Sequence, residues 1–278
     1  MSHRIHLNWF SSELAERAAA IAAGTMDPAP ARDAATVIVV REPAEILMLK
    51  RPGTMNFAAG AYVFPGGRVD AADADPRIGW HWPSPAEFGV RLGASADEAR
   101  ALVVAAVRET YEESGVLLAG QPDGGTVVPS GPDWAADRAA LNAGELSFAD
   151  LMVKRGLVIL ADRIVPWARW ITPAAETRRY DARFFAAIVP PGQTPDGHLA
   201  EADTIAWVDP ASALDAARAG EIMLLPPTAA TLGEFAAAGD DLAAFLGQPR
   251  EIATIQPVIV AGDGEAWLEI PEGVRHPL

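Results

Sequence analysis

Cysteine is absent from the sequence, and no long stretch of it is uniformly apolar. Without cysteine there can be no disulfide bond, no thiolate nucleophile and no thiolate metal site. A membrane-spanning helix needs about 18 uninterrupted apolar residues, and the chain has no such run. We therefore expect no thiol chemistry and no membrane partner.

Positive charge is also scarce. The 22 lysines and arginines are outnumbered by 37 aspartates and glutamates, and the formal net charge is −15. A chain this acidic argues against nucleic acid as a partner, and an anionic substrate would need local help from arginines and a metal ion. Residues 1–4 are not followed by an apolar signal region, and residues 275–278 are not a peroxisomal address. A cytoplasmic location is therefore expected.

The 278 residues, half of them hydrophobic, are enough for one large domain with additions. Apolar β-rich runs predict strands, and periodic apolar residues with capping signals predict helices. The predicted strands are 34–40, 45–50, 181–188 and 205–208, with a terminal hairpin of 255–260 and 266–270. The predicted helices, apart from one described next, are 10–24, 134–142, 147–155, 211–220, 226–238 and 240–246.

The clearest helix signals lie between Ser95 and Gly115. Ser95 followed by Glu98 is a capping-box pattern, and Gly115 is a natural left-handed stop. Between them, apolar or small residues recur at helical spacing and predict a stripe that faces the core. The stripe consists of Ala99, Leu102, Val103, Ala106 and Thr110.

Three glutamates stand at the carboxyl end of this helix. Glu109, Glu112 and Glu113 occupy positions i, i+3 and i+4, which are neighbours on one helix face. Like charges so close repel one another unless a cation lies among them, and a hard divalent ion prefers oxygen ligands. The spacing therefore predicts one wall of a metal site. The alternative is a solvated acidic face, helped by Arg108 pairing with Glu112.

With a glycine pair upstream, this segment resembles the signature of the Nudix hydrolases. That signature, called the Nudix box, is a glycine, five residues, a glutamate, seven residues and then R-E-φ-x-E-E-x-G-φ, where φ is aliphatic. Gly67, five residues and Asp73 match its first part, and residues 108–116 match its second. The chain departs from the signature at Asp73, at Thr110, and in the thirty-four residues between Asp73 and Arg108, where the family has seven.

An insertion at this place resembles one branch of the family, the coenzyme A diphosphatases related to the peroxisomal enzyme of mammals. Residues 60–67 resemble the G-x-x-x-F-P-G-G end of that branch's coenzyme A motif. Asn56 stands where the motif has an arginine, and Arg51 could serve from a different position. Residues 170–173 and 178–185 resemble the same branch further along the chain.

The resemblance implies an α/β fold of the Nudix type, an α/β/α sandwich with a mixed β-sheet between helices. It implies a single Nudix hydrolase domain over residues 1–278. Within it, residues 1–33 would be an N-terminal helix and linker, residues 74–95 an insertion in the box, and residues 221–278 a C-terminal extension. A homodimer is compatible with this organisation, but the sequence carries no signal for the oligomeric state.

The resemblance also implies the residues of the site. The three glutamates and the Gly67 carbonyl would hold Mg²⁺ or Mn²⁺, and Arg108 would orient a glutamate. Glu201 precedes a predicted strand and resembles an acid that completes the metal or base set in this family. The sequence leaves the general base open between Glu113 and Glu201. Substrate contacts are expected from Arg51, Phe64, Gly66, Arg68, Trp80, Trp82, Arg178 and Arg179.

Two of these expectations have a structural alternative. Arg178 and Arg179 carry guanidinium forks that match phosphate oxygens, yet surface arginines also serve solubility. The aromatic residues Trp80, Trp82 and Phe88 belong to the insertion. They could line the substrate pocket beside the box, or they could pin the insertion to the body of the protein.

The resemblance thus predicts an enzyme that hydrolyses a nucleoside diphosphate-linked small molecule by attack of water on one phosphorus. Coenzyme A or an acyl-coenzyme A is the first candidate substrate, giving 3′,5′-ADP and a 4′-phosphopantetheine product. ADP-ribose, NADH or a sugar nucleotide is the alternative. A Nudix-fold ligand sensor without turnover is a third hypothesis, and the intact carboxylate set argues against it.

Overall fold

The structure, a computed structural model, describes residues 3–6, 11–53, 59–196, 204–239, 241–262, 265–271, 273–274 and 277. Its strands are β1 (His3–His6), β2 (Ala31–Arg41), β3 (Glu45–Lys50), β4 (Ala61–Val63), β5 (Gly66–Arg68), β6 (Gly79–His81), β7 (Ala119–Gly120), β8 (Val158–Leu160), β9 (Val165–Ile171), β10 (Arg179–Ile188), β11 (Thr204–Val208), β12 (Met223–Leu224), β13 (Thr254–Ile255), β14 (Val258–Gly262) and β15 (Glu265–Ile270). Its α-helices are α1 (Ser12–Ala22), α2 (Pro85–Leu92), α3 (Ala96–Ser114), α4 (Pro132–Asn142), α5 (Phe148–Arg155), α6 (Pro210–Arg218), α7 (Pro226–Ala238) and α8 (Leu242–Leu246).

A mixed β-sheet forms the centre of the fold. Its described strands run in the order β12-β4-β3-β2-β10-β9-β13, with β11 beside β3 and β5 beside β2. The two central strands, β2 and β10, are parallel, and Ala35 of β2 lies opposite Arg183 of β10. The pairs β2–β3, β3–β4 and β9–β10 are antiparallel. The predicted mixed sheet is therefore confirmed.

Helices cover both faces of this sheet. On one face, Val37, Val39 and Phe185 pack with buried residues of α2, α3 and α5. On the other face, Ile38 and Phe184 pack with buried residues of α6, α7 and α8. Strands that are buried on both faces read as continuous apolar runs, which is why residues 37–40 of β2 are apolar without alternation. The predicted α/β/α sandwich is confirmed.

Helix α3 has the predicted boundaries. The Ser95 Oγ accepts a hydrogen bond from the Glu98 amide at 3.2 Å, and the Glu98 carboxylate accepts one from the Ser95 amide at 2.8 Å. The helix ends at Ser114 because Gly115 adopts a φ of 73°, a left-handed conformation that favours glycine. The residues of the predicted apolar stripe are all buried, namely Ala99, Leu102, Val103, Ala106 and Thr110.

Gly66 and Gly67, at the start of the box, lie in strand β5 and bring the sheet close to α3. Strand β5 pairs with β2 so that Gly66 lies opposite Thr36 and Gly67 opposite Ala35. A Cβ on Gly66 would lie 2.8 Å from the Thr36 Oγ1 and nearer still to the backbone of β2. Glycine is therefore required for the two strands to approach each other here.

The terminal segments form a second sheet, of order β1-β15-β14. The predicted terminal hairpin is confirmed, since β14 and β15 pair antiparallel. The predicted first helix is confirmed as α1, with the Ser11 Oγ accepting from the Leu14 amide at 3.2 Å. Among the described residues, no helix is both long and apolar enough to cross a membrane.

The insertion of residues 74–95 folds into regular elements of its own. Strand β6 joins β8 and β7 in a third sheet, and α2 begins with a capping box between Ser84 and Glu87. This short helix was not predicted. The Arg100 guanidinium of α3 donates to the carbonyl of Ile78 and, at 3.3 Å, to that of Asp75. The insertion is thus held against the acidic helix.

The two tryptophans of the insertion have different surroundings. The Trp80 indole donates to the Pro83 carbonyl at 2.6 Å, and its ring meets the buried Phe88 edge to face with centroids 6.0 Å apart. Arg100 lies 5.7 Å from the Trp80 ring centroid. Trp82, in contrast, is 68% exposed. Pro83 and Phe88 belong to the insertion, so those two contacts stabilise its own fold. The Arg100 contact and the packing of the Trp80 ring against the core favour the second alternative, in which the side chain pins the insertion to the protein.

Replacing each tryptophan by alanine should show which of the two side chains stabilises the fold. Trp80→Ala removes the indole hydrogen bond and the contact with Phe88, and we expect it to lower the free energy of unfolding by about 2 kcal/mol. Trp82→Ala is the matched control, and its effect should stay within about 0.5 kcal/mol because its ring is exposed. Urea unfolding followed by tryptophan fluorescence measures both. Equal losses in the two variants would show that Trp80 does not pin the insertion.

Candidate active site

Arg108 joins the two halves of the box across the insertion. Its Nε donates to the Asp73 Oδ1 at 2.8 Å and its Nη2 to the Asp73 Oδ2 at 3.0 Å, a bidentate pair. Asp73 is 1% exposed and its carboxylate also accepts from the Asp70 amide at 2.8 Å. The same Nη2 reaches the Arg68 carbonyl at 3.0 Å. The guanidinium is therefore fixed by groups from the first half of the box.

The remaining guanidinium nitrogen of Arg108 donates to two glutamates on the acidic face of α3. Its Nη1 donates to the Glu109 Oε1 at 2.9 Å and to the Glu112 Oε2 at 3.1 Å. Burial alone would lower the pKa of the guanidinium, but Asp73, Glu109 and Glu112 together raise it. One permanent cation is thus shared by three carboxylates, and it sets the direction of two of them.

Burial makes the charge on Glu112 costly. Partial burial raises the pKa of Glu112 to about 7, with Glu109 adding to the shift and Arg108 opposing it. A carboxylate with a raised pKa gains when a cation comes close, because a nearby positive charge favours the ionised form. The site therefore favours a bound cation more than a solvated acidic helix face would.

Strand β5 meets the same carboxylates from the sheet. The Gly66 amide donates to the Glu113 Oε2 at 2.8 Å. A Cβ on Gly67 would lie 2.6 Å from the Glu109 Oε2 and nearer still to the other atoms of that carboxylate. The absent side chain of Gly67 is thus what lets the strand backbone and the Glu109 carboxylate approach each other.

The donors that meet here are carboxylate oxygens and backbone groups, the type that Mg²⁺ and Mn²⁺ prefer. Within the described part of the chain, no three acidic or imidazole side chains converge closely enough to hold an ion as they stand. The oxygens instead face protein donors, Arg108 for Glu109 and Glu112 and the Gly66 amide for Glu113. The donor set suits a hard divalent ion, and binding one would require the carboxylates to turn toward it.

Several predicted substrate residues are exposed at the protein surface. Arg68 and Arg178 are exposed, as is Trp82. Arg51 directly follows β3, and its Nε is buried with no hydrogen-bond partner among the described residues. These side chains are available to a ligand, and their roles stay predictions. Glu201 lies outside the residues that the structure describes.

Two other predicted substrate residues have structural contacts instead. Phe64 is 4% exposed and packs in the core beneath the sheet. Arg179 is buried, and it donates to the Thr172 carbonyl at 3.1 Å and to the Ala29 carbonyl at 2.6 Å. One ring is enclosed by apolar side chains and one guanidinium is engaged by backbone carbonyls, so both have structural roles, and their predicted substrate contacts stay predictions.

Sequence reasoning missed several residues that support the site. Asp73 was matched to the box, but its pairing with Arg108 was not foreseen. Arg138 and Asn142 of α4 donate to the carbonyl of Glu112. Gln193 exchanges hydrogen bonds with the backbone of Leu117, just after α3. Of these residues, only Asp73 had a sequence signal, which was its place in the motif. Arg138, Asn142 and Gln193 act on backbone groups of Glu112 and Leu117, and only the folded chain brings them close to those groups.

Comparisons with known proteins agree with this geometry. The family model of the NUDT19 Nudix domain matches residues 84–234, more than half of the chain. A Caenorhabditis elegans protein whose name places it among the nudix hydrolases is 31% identical over 234 residues, which cover 84% of this chain and 70% of that protein. The acyl-coenzyme A diphosphatase NUDT19 of Homo sapiens is 30% identical over 227 residues, 66% of this chain and 59% of that protein.

A solved structure shows the same fold. The crystal structure of a NUDIX hydrolase from Alicyclobacillus acidocaldarius superposes with a TM-score of 0.67 at 29% identity, covering 81% of this chain and 99% of that one. The chain spans about six-tenths of the length of the acyl-coenzyme A diphosphatases it matches, since the Gallus gallus protein of that name is covered over 58%.

The close approach of Gly67 and Glu109 can be tested directly. Gly67→Ala places a methyl group against the Glu109 carboxylate and should displace it, so we expect kcat to fall at least about tenfold. Gly53→Ala is the matched control, because a Cβ there meets no atom of the described residues within 4 Å. Hydrolysis rates and thermal unfolding are measured for both. Unchanged kcat in Gly67→Ala would show that the position of Glu109 does not matter.

Proposed function

This chain belongs to the Nudix hydrolase family, and we propose that it hydrolyses the diphosphate of coenzyme A or an acyl-coenzyme A. The products are 3′,5′-ADP and 4′-phosphopantetheine or its acyl derivative. The observation that carries the proposal is the network in which Asp73 fixes Arg108 and Arg108 directs Glu109 and Glu112. It joins both halves of the box into one acidic site beside the glycine strand.

The choice of substrate has two supports. Relatives at 29% and 30% identity carry the name acyl-coenzyme A diphosphatase. Residues 60–67 and 178–185 resemble the coenzyme A branch in sequence. The alternative substrates, ADP-ribose, NADH and sugar nucleotides, share the diphosphate and would use the same carboxylates. What distinguishes them lies outside the box, in the residues that contact the rest of the ligand.

We infer that Glu109, Glu112, Glu113 and the Gly67 carbonyl hold Mg²⁺ or Mn²⁺. When bound, the ion polarises the phosphoryl oxygens and neutralises charge that develops on them. The raised pKa of Glu112 and the close approach of Gly67 to Glu109 support this assignment. Arg108 contributes by orientation, because its guanidinium is engaged with Asp73 and two glutamates, and it is not placed on the substrate.

The reaction needs one water and one base. The water oxygen forms a bond to one phosphorus, the bond from that phosphorus to the bridging oxygen breaks, and the water gives up a proton. Glu113 and Glu201 are both candidates to accept that proton. The Gly66 amide keeps Glu113 in place by its hydrogen bond to the Oε2. Two phosphate monoesters leave the site.

Three side chains are proposed for the rest of the substrate. Arg51 has a buried Nε with no hydrogen-bond partner among the described residues, which supports a phosphate contact. Arg178 is exposed and keeps its proposed phosphate role. Trp82, in the insertion, is exposed and is proposed to stack on an adenine, whereas Trp80 is engaged in packing.

We also propose that residues 1–278 form one Nudix domain with additions. The Arg250 Nε donates to the Trp167 carbonyl at 2.7 Å, and Ile270 packs in the core beneath the sheet with Val40 and Phe184. These contacts support a C-terminal extension that shares the core. A sensor without turnover is disfavoured because such a protein has no need of the Asp73–Arg108 network.

Metal-dependent hydrolysis predicts the behaviour of one variant. Glu112→Gln keeps the shape of the side chain but loses its charge, so it should fold normally and lose at least about a hundredfold in rate. Glu16→Gln, on the exposed face of α1, is the control and should keep the full rate. Wild-type turnover in Glu112→Gln, or full activity of the wild type in EDTA, would contradict metal-dependent hydrolysis.

Substrate choice is tested by a panel. Coenzyme A, an acyl-coenzyme A, ADP-ribose, NADH and a sugar nucleotide are compared with Mg²⁺ and with Mn²⁺. We expect the coenzyme A compounds to give the highest kcat/KM, and chromatography to show 3′,5′-ADP among the products. If AMP from ADP-ribose or NADH dominates, the alternative substrate class is correct.

A further inference from the structure

The last two turns of α3 carry the three glutamates. The backbone carbonyls of the final turn have no partners within the helix. The final four carbonyls of any helix need outside donors. The Tyr111 carbonyl accepts from the Gly115 amide at 2.9 Å, and the Ser114 carbonyl accepts from the Asp196 amide at 2.8 Å. The Glu112 carbonyl is bound by side chains of α4, the Arg138 Nη2 at 3.0 Å and the Asn142 Nδ2 at 3.3 Å. The backbone of a proposed metal ligand is therefore held by a neighbouring helix.

Arg138 is built into this place. Its side chain is 8% exposed, and its Nη2 also donates to the Asp196 carbonyl at 2.9 Å. Its guanidinium lies 6.0 Å from the Tyr111 ring centroid, and Tyr111 meets Trp134 of α4 edge to face with centroids 6.4 Å apart. The Nε of the same guanidinium also reaches the Glu112 carbonyl, at 3.3 Å, so two of its nitrogens hold that carbonyl while one of them reaches the second segment. One buried cation thus ties the end of α3 to the chain that follows β10.

The charge of Arg138 also fits its position. The carboxyl end of a helix carries partial negative charge, which disfavours carboxylates and favours cations. Glu109, Glu112 and Glu113 lie in the last two turns of α3, at this unfavourable end. No residue in the last turn of α3 is basic, so Arg138 of α4 adds a cation at this end to the one that Arg108 supplies to the side chains. Arg138 therefore stabilises the helix end on which the acidic site is built.

We propose that Arg138 is a positioning residue for the divalent-ion site, acting through the carbonyl of Glu112 and not through the substrate. The proposal rests on the proposed function, since it concerns the ion that the glutamates hold. Arg138 binds the carbonyls of Glu112 and Asp196 together. It thereby fixes the backbone position from which the Glu112 side chain extends toward the ion. Its loss lets the last turn of α3 shift, and the ion then binds more weakly.

Mn²⁺ binding without substrate, measured by calorimetry or by electron paramagnetic resonance, tests this role apart from turnover. Arg138→Met loses both the charge and the fork, and Arg138→Lys keeps the charge but loses the fork. We expect each to weaken Mn²⁺ binding and to lower kcat by about tenfold, the usual scale for a residue that supports metal ligands, with a smaller change in KM. Arg138→Lys also guards against a folding failure of Arg138→Met.

Arg155→Met is the matched control. Arg155 stacks on Trp134 at 4.3 Å and pairs with Asp137, so its ring contact and its ion pair are both made to α4 and it does not donate to the Glu112 carbonyl that Arg138 holds. It should lower the melting temperature and leave the affinity for Mn²⁺ unchanged. If the Arg138 variants keep wild-type affinity and kcat, or change no more than Arg155→Met does, Arg138 only stabilises the fold. If the wild type itself neither binds Mn²⁺ nor hydrolyses any diphosphate, the proposed function fails and the inference fails with it.

Discussion

The bidentate ion pair between Asp73 and Arg108 is the interaction on which the site depends. Both partners are buried, with Asp73 1% and the Arg108 side chain 11% exposed. Removing one partner of a buried pair costs about 3–5 kcal/mol, because the other charge is left without compensation. Arg108 then directs Glu109 and Glu112, so the geometry of the acidic helix is set from a residue thirty-five positions earlier.

This dependence explains how the box tolerates its insertion. The thirty-four residues between Asp73 and Arg108 leave and return at positions that the ion pair fixes, and lengthening a loop between fixed ends adds little closure entropy. The insertion packs against α3 through Arg100, which donates to the Asp75 carbonyl and lies over the Trp80 ring. Its Ile78 and Phe88 join the core between α3 and the sheet, and β5 still meets Glu109 and Glu113.

Local signals predicted much of the fold. The limits of α3 followed from the capping box at Ser95 and the left-handed Gly115, because both act within a few residues. The fold class and the family came from motif spacing. The contacts of Phe64, Arg179 and Arg138 could not be predicted, because each depends on which distant backbone or core atoms the folded chain brings near. An exposed and a carbonyl-bound arginine look the same in a sequence.

The measurement that tests the central claim most directly is the Mn²⁺ affinity and hydrolysis rate of Asp73→Asn. This variant keeps the size of the side chain but removes the charge that holds Arg108. If the ion pair organises the site, a folded Asp73→Asn protein should bind Mn²⁺ at least about tenfold more weakly than the wild type and lose a similar factor in kcat. Wild-type affinity and rate in that variant would contradict the account, because the two halves of the box would then act independently.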